Sequence, residues 1–153
     1  MDNVTLVQVT ADHPDLNGII TKLDHYLLQV YPPSEIFGLD LTDSKNNKTI
    51  FIVAYFNEIA VGCGAIKPID GEIVELKRFF VDPEFRNRGI ATAILNDLEN
   101  RALALNYSTI RLETGEKLPE AITLYQKHGY YPIDKYGEYV DCGSSLCYEK
   151  QLR

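Results

Sequence analysis

The sequence predicts an α+β fold: a mixed, mostly antiparallel sheet of about seven strands, with a central parallel pair, flanked by about four helices. Three observations carry this. Residues 49–56, 59–66 and 73–81 are β-branched and aromatic runs separated by the short turn signals Asn57-Glu58 and Asp70-Gly71, which reads as an antiparallel meander. The third of these strands is followed by a helical stripe and then by another strand at 108–114, and a strand–helix–strand unit implies a parallel pair. A further stripe, Leu16, Ile19, Ile20, Leu23, Leu27 and Val30, has helical spacing.

The elements follow in order. Residues 5–9 alternate and predict a first strand. The 16–30 helix stops at Tyr31-Pro32-Pro33-Ser34, because the residue before a proline is pushed out of the helical region. Residues 35–41 predict a short second helix, and 43–48 (DSKNNK) a polar loop. After the meander, Ile90, Ile94, Leu98, Ala102 and Leu105 form the apolar stripe of the next helix, with Asp97, Glu99 and Arg101 largely off it. Residues 119–128 predict a helix with proline in its first turn and Gly129 as its C-terminal cap. Short strands are expected from Tyr130-Tyr131 and over 145–150.

Composition bounds the function. The 153 residues, 45% hydrophobic and 24% charged, suit one domain spanning 1–153. A formal charge of −7 argues against nonspecific nucleic-acid binding, since no phosphate-neutralising patch is available. Cys63, Cys142 and Cys147 have no CxxC spacing, which fits a reducing compartment, and His13, His25 and His128 have no metal-ligand spacing. The first residues lack the basic start and apolar run of a signal peptide. No segment approaches the ~20 apolar residues of a membrane helix. A cytoplasmic protein without a metal or membrane partner is the expectation.

The informative stretch is Val81-Asp82-Pro83-Glu84-Phe85-Arg86-Asn87-Arg88-Gly89-Ile90-Ala91, between a strand and a helix start. A helix start offers unpaired N–H groups and a positive dipole end, both suited to phosphate. Gly89 and Ala91 leave the backbone approachable, and Arg86 and Arg88 add charge. The same residues also read as an ordinary turn with two exposed arginines. The stretch is neither a P-loop nor a GxGxxG fingerprint.

Arg86 to Ala91 matches the R/Q-x-x-G-x-G/A signature and so resembles the GCN5-related N-acetyltransferase superfamily. The match is flanked, in that family's order, by Glu75-Leu76-Lys77-Arg78-Phe79-Phe80-Val81 and by Ala121-Ile122-Thr123-Leu124-Tyr125-Gln126-Lys127-His128-Gly129-Tyr130. The resemblance spans 49–131 and implies acetyl-CoA lying where strands 73–81 and 108–114 splay apart. It implies backbone contacts from Phe80 and Val81 to pantetheine, and a pyrophosphate held by Arg86, Asn87, Arg88, Gly89, Ile90 and Ala91. It implies Tyr125 as general acid for the leaving thiolate. Leu118 departs from the family, which often carries asparagine there, and puts one side-chain contact to coenzyme A in doubt.

Transfer to an amine requires a neutral nitrogen, and an amine of pKa ~10.4 is almost wholly charged at neutral pH. A carboxylate can relieve it directly or through water. Glu75 is the candidate, six residues before Val81, where the histone-acetyltransferase branch carries its glutamate; it also reads as a strand residue paired with Lys77 or Arg78. Tyr125 also reads as a core aromatic. Tyr31, Tyr136 and Tyr139 are candidates for an aromatic acceptor pocket, and Arg78 for a carboxylate clamp. The expected activity is acetyl transfer from acetyl-CoA to a primary amine. A non-catalytic acetyl-CoA sensor and transfer of another acyl group are the alternatives. A homodimer, through a C-terminal strand packed or exchanged between subunits, is a further expectation of the resemblance.

Overall fold

The structure is a computed structural model describing residues 3–40 and 46–153. Its strands are β1 (Val4–Val9), β2 (Ile50–Phe56), β3 (Ile59–Pro68), β4 (Ile73–Val81), β5 (Thr109–Gly115), β6 (Tyr131–Ile133) and β7 (Ser145–Gln151). Its helices are α1 (Pro14–Leu28), α2 (Ile90–Ala104) and α3 (Pro119–Lys127). The sheet has the order β1-β2-β3-β4-β5-β7-β6. Every neighbouring pair is antiparallel except β4 and β5, which run parallel.

Both faces of the sheet are covered, so alternating residues of one strand enter different cores. In β2, Phe51 and Val53 pack with Leu16, Ile19 and Leu23 of α1. Ile52, Ala54 and Phe56 belong to the other core, with Ile90, Ile94, Leu95 and Leu98 of α2. A strand buried on both faces reads as a continuous apolar run, as 50–56 does.

The turns differ in chemistry. Asn57 and Glu58 both take positive φ (48° and 75°), as a two-residue hairpin requires. The Asp70-Gly71 turn works otherwise: Asp70 Oδ1 accepts from the N–H of Glu72 (2.8 Å) and Ile73 (2.9 Å).

Three expectations are corrected. The short helix expected over 35–41 is a 3-10 turn at Pro33–Glu35 followed by irregular chain. So few residues cannot repay helix nucleation, whereas Phe37 gains an edge contact with Tyr139 at 4.9 Å. The α-helices are therefore three among the described residues. Within α2, Glu99 is buried rather than off the apolar stripe, because Tyr130 and Lys150 bond its two oxygens at 2.9 and 2.8 Å. Leu105, placed on the stripe, is the exposed C-cap. Of the polar loop expected over 43–48, residues 43–45 lie outside the described residues, as does Leu41.

Candidate active site

β4 and β5 pair only from Ile73–Thr109 to Leu76–Leu112. Beyond that rung β4 continues to Val81 along β3, and β5 to Gly115 along β7. A bulge helps turn β4 away: Lys77 to Phe80 spans three steps where its partners Ala65 to Cys63 span two. Arg78, inside the bulge, has φ 53°, and its carbonyl accepts from Cys63 Sγ at 3.2 Å. The strands thus open into a cavity of ≈ 1100 Å³, walled on one side by Lys77 to Val81 and on the other by Glu113, Gly115 and the start of α3.

One end of the cavity is the loop between β4 and α2. Asp82 accepts from Glu84 N–H at 3.0 Å and pairs with Lys22 of α1 at 2.8 Å. Burial pushes the Asp82 carboxyl up, but Lys22 and the Glu84 N–H outweigh it and hold it below the usual carboxylate value. Arg86 Nε donates to the Val81 carbonyl at 3.1 Å, its guanidinium lies 5.2 Å from the Tyr26 ring centroid, and Glu120 of α3 stands 3.6 Å away. Arg88 lies over Phe56 at 5.1 Å. Asn87 and Gly89 take φ 62° and 79°, and Gly89 caps α2 without a side chain. The N–H groups of residues 87–92 find no acceptor among the described residues. Arg86 beside free N–H groups at a helix start is an arrangement suited to a phosphate-like anion, whereas the Arg88 guanidinium, stacked on Phe56 and Phe85, does not line the cavity. The Ile90 side chain is buried in the core, leaving its N–H to serve there, while Ala91 lines the cavity.

Tyr125 of α3 also lines the cavity. Its ring is 6.0 Å from Phe79 and 5.8 Å from Tyr130, and its hydroxyl has no partner among the described residues. Burial, with the charge of Glu113, pushes the phenol's pKa up, so it stays protonated at neutral pH. Phe80 and Val81 line the same wall, and Leu118 presents an apolar side chain to the cavity.

The other end is aromatic and charged. Tyr31 reaches across β5: its hydroxyl accepts from Lys117 N–H at 2.7 Å. A Cβ at position 115 would sit 2.0 Å from that oxygen, so Gly115 is required for this crossing. Glu35 accepts from Ser144 at 2.5 Å, which ties the 33–37 segment to the start of β7. Arg78 lines the cavity but is already paired with Asp24 of α1. Tyr136 does not line it; its hydroxyl donates to Glu75 at 3.0 Å. Glu75 is buried in the paired half of the sheet, and the same oxygen accepts from Tyr139 at 2.5 Å. Tyr139 in turn accepts from Lys77 Nζ at 2.9 Å and lines the cavity. Glu75 therefore meets the cavity one hydroxyl removed.

Lys77 and Glu113 were not singled out in the sequence. Glu113 lines the cavity, accepts from Ser145 Oγ at 2.7 Å, and is pushed up by burial to about 7. The available signal was Arg111 and Glu113, charges at a spacing of two on a central strand whose other face is core.

A model of the acetyltransferase (GNAT) family matches residues 18–130. A relative from Azospirillum brasilense, named as an IAA acetyltransferase, is 35% identical over 153 residues, covering 99% of this chain and 100% of that protein. A crystal structure from Klebsiella pneumoniae, of a protein described as an acyl-CoA N-acyltransferase, is 28% identical with a TM-score of 0.86 over 98% of both chains. The fold is also shared with a GNAT acetyltransferase from Elizabethkingia anophelis solved with acetyl-CoA bound, with a TM-score of 0.69, 23% identity and coverage of 97% of this chain and 98% of that one. The chain belongs to the acetyltransferase (GNAT) family.

Proposed function

We propose that this protein transfers an acetyl group from acetyl-CoA to a primary amine, both bound at once. The observation that carries the proposal is one continuous cavity, which joins the free N–H groups at the start of α2 to the unpaired phenol of Tyr125 and to the carboxylate of Glu113. The Elizabethkingia relative supports the donor, since its structure contains acetyl-CoA in the same fold.

In this reading the amides of residues 87–92, with the Arg86 guanidinium, hold the pyrophosphate, and Arg88 contributes its backbone N–H alone. The edge of β4 beyond Leu76, no longer paired to β5, offers Phe80 and Val81 backbone groups to the pantetheine amides. The amine attacks the thioester carbon, and the C–S bond breaks to expel a thiolate. Tyr125 donates its proton to the sulfur, help worth roughly 10²–10⁴ in rate. Glu75 would act through Tyr139, whose hydroxyl it holds. Tyr31 shapes the acceptor end. Arg78, neutralised by Asp24, helps build that wall, and Tyr136 supports it from behind by orienting Glu75. We place the protein in the cytoplasm, on the support of three unpaired cysteines; no described helix is long and apolar enough to cross a membrane.

The test is a panel of primary amines, amino acids and lysine peptides with acetyl-CoA, following free thiol release. Amine-dependent thiol release is the expected result. Binding of acetyl-CoA with no thiol release from any amine would leave a sensor instead.

A further inference from the structure

We propose that the acceptor is an amine that carries a second positive charge and no carboxylate, and that Asp24 and Glu35 are the residues that decide this. The proposal rests on the amine-transfer reading above and names the class of acceptor.

The cations at the acceptor end of the cavity are already neutralised. Arg78 and Lys77 both line it. Arg78 Nη2 donates to Asp24 Oδ1 of α1, and its side chain is only 6% exposed. The chain at Gly38 packs against the same guanidinium: a Cβ there would lie 3.4 Å from Arg78 Nη1. Lys77 Nζ donates to the Tyr139 hydroxyl at 2.9 Å, and that hydroxyl donates to the buried Glu75 at 2.5 Å. A substrate carboxylate entering here would have to displace Asp24 from Arg78 or break the Lys77–Tyr139–Glu75 chain. Either exchange strips a charge of a partner it already has, and leaving a buried charge unpaired is costly.

The carboxylates at this end are in the opposite state. Glu35 and Glu113 line the cavity, and no cation of the described residues lies within ion-pair distance of either. Each has a serine hydroxyl on one oxygen, Ser144 on Glu35 at 2.5 Å and Ser145 on Glu113 at 2.7 Å. Their other oxygens find no donor among the described residues. Because the two serines are adjacent in sequence, one short piece of chain holds both carboxylates. An unpaired carboxylate oxygen is an acceptor for an ammonium N–H. Tyr125 independently marks this cavity as one that takes a polar ligand: it is 6% exposed, lines the cavity, and its hydroxyl has no partner among the described residues.

The groups are also ordered. The Glu113 charge acts on both Tyr125 and Tyr31, and the Glu35 charge acts on Tyr31. Glu35 therefore lies beyond Glu113 as seen from Tyr125. An amine reacting beside Tyr125 would extend its far end toward Glu35, past the aromatic walls of Tyr31, Phe37 and Tyr139. A second ammonium there gives Glu35 the partner that the protein withholds. A carboxylate there meets like charge and finds the nearby guanidinium taken. Glu35 thus selects for the second cation, and Asp24, by occupying Arg78, selects against the carboxylate.

The experiment compares kcat/KM for pentylamine, cadaverine and lysine with saturating acetyl-CoA, following free thiol release. Cadaverine adds an ammonium to pentylamine, and lysine adds a carboxylate to cadaverine. Wild type should favour cadaverine over each of the others by about tenfold. Glu35→Gln should remove the advantage over pentylamine. Asp24→Asn, which frees Arg78, should raise lysine relative to cadaverine by about tenfold. Acetyl-CoA affinity by calorimetry should stay within about twofold in both variants, since neither residue lies at the start of α2. Should Asp24→Asn not fold, Glu35→Gln, on a half-buried turn, carries the test. Cadaverine no better than pentylamine, an advantage that survives Glu35→Gln, or lysine used as well as cadaverine by wild type overturns the proposal alone. So does a folded Asp24→Asn that leaves lysine unimproved, and so does thiol release with lysine peptides but with none of the three amines. Acetyl-CoA binding with no thiol release from any amine overturns the amine-transfer reading and this proposal together.

Discussion

The two halves of the β4–β5 ladder are made of the same two strands and do opposite things. From Ile73 to Leu76 the pair is closed, and Val74, Leu76, Ile110 and Leu112 fill the core beneath α2. From Lys77 to Val81 the strands part, and the freed edge and the side chains beyond it line a cavity. A parallel pair gives up several ladder hydrogen bonds when it opens, and unpaired buried backbone groups are costly. That cost is tolerable where a ligand can supply the missing partners. A single rung of one strand pair thus separates the packed core from the cavity. Glu75 and Glu113 stand on the two sides of it.

Substitutions on each side should separate the two roles. The largest effect is expected at the mouth of the open half. Gly89→Asp adds a negative charge where the anion would sit, in a backbone conformation aspartate tolerates, with open space around its Cβ. Like charges brought together cost several kcal/mol, so acetyl-CoA affinity should fall on the order of 10³-fold by calorimetry, with the circular-dichroism spectrum retained. In the closed half, Ile110→Ala should do the reverse. Its side chain is fully buried, and truncation should cost about 2–5 kcal/mol in denaturant unfolding. Turnover per folded molecule should hardly change. A large loss of kcat there would mean the halves are not separable.

Tyr125→Phe keeps the ring against Phe79 and Tyr130 and deletes a hydroxyl that has no partner among the described residues. Turnover should fall about 100-fold, with acetyl-CoA affinity and melting temperature near wild type. Undiminished turnover would make Tyr125 a core aromatic and leave sulfur protonation to water. The smallest effect concerns stability against pH. The Glu113 carboxyl titrates above its ordinary value in the fold, so its ionisation costs stability as pH rises from about 4.5 to about 7, and the cost is constant above that. Glu113→Gln should therefore be more stable than wild type at pH 8, by about 1–2 kcal/mol given partial solvation, and equal to it at pH 4. A melting-temperature difference that does not change with pH would place the Glu113 carboxyl in ordinary solvent.

Most elements were legible because their signals are local. The hairpin turn at Asn57-Glu58, the stripes of α1 and α2, Gly129 with φ 91° after α3 and the strand–helix–strand unit each follow from residues close in sequence. The failures have one cause as well. Glu99 looked like a solvent residue and Leu105 like a core residue, because what buries or exposes them are Tyr130, Lys150 and the helix end, and no helical period contains those. Residues 35–41 looked helical because their partners, Ser144 and Tyr139, lie more than 90 residues away.

The candidacy of the 81–91 loop as an anion site followed from the sequence alone, since a strand, two arginines, a glycine and a helix start are contiguous from Val81 to Ala91. So did the candidacy of Tyr125, which rests on an ordered motif. The tertiary structure alone decided which carboxylate meets the cavity. Glu75 and Glu113 are both strand residues with a charged or polar neighbour two positions away, and nothing local tells them apart. The difference arises where the bulge at Arg78 turns β4 from β5, while Tyr136 and Tyr139 close over one glutamate and leave the other open. Burial and charge at a site are set by long-range contacts, and a linear pattern carries the residue but not its surroundings.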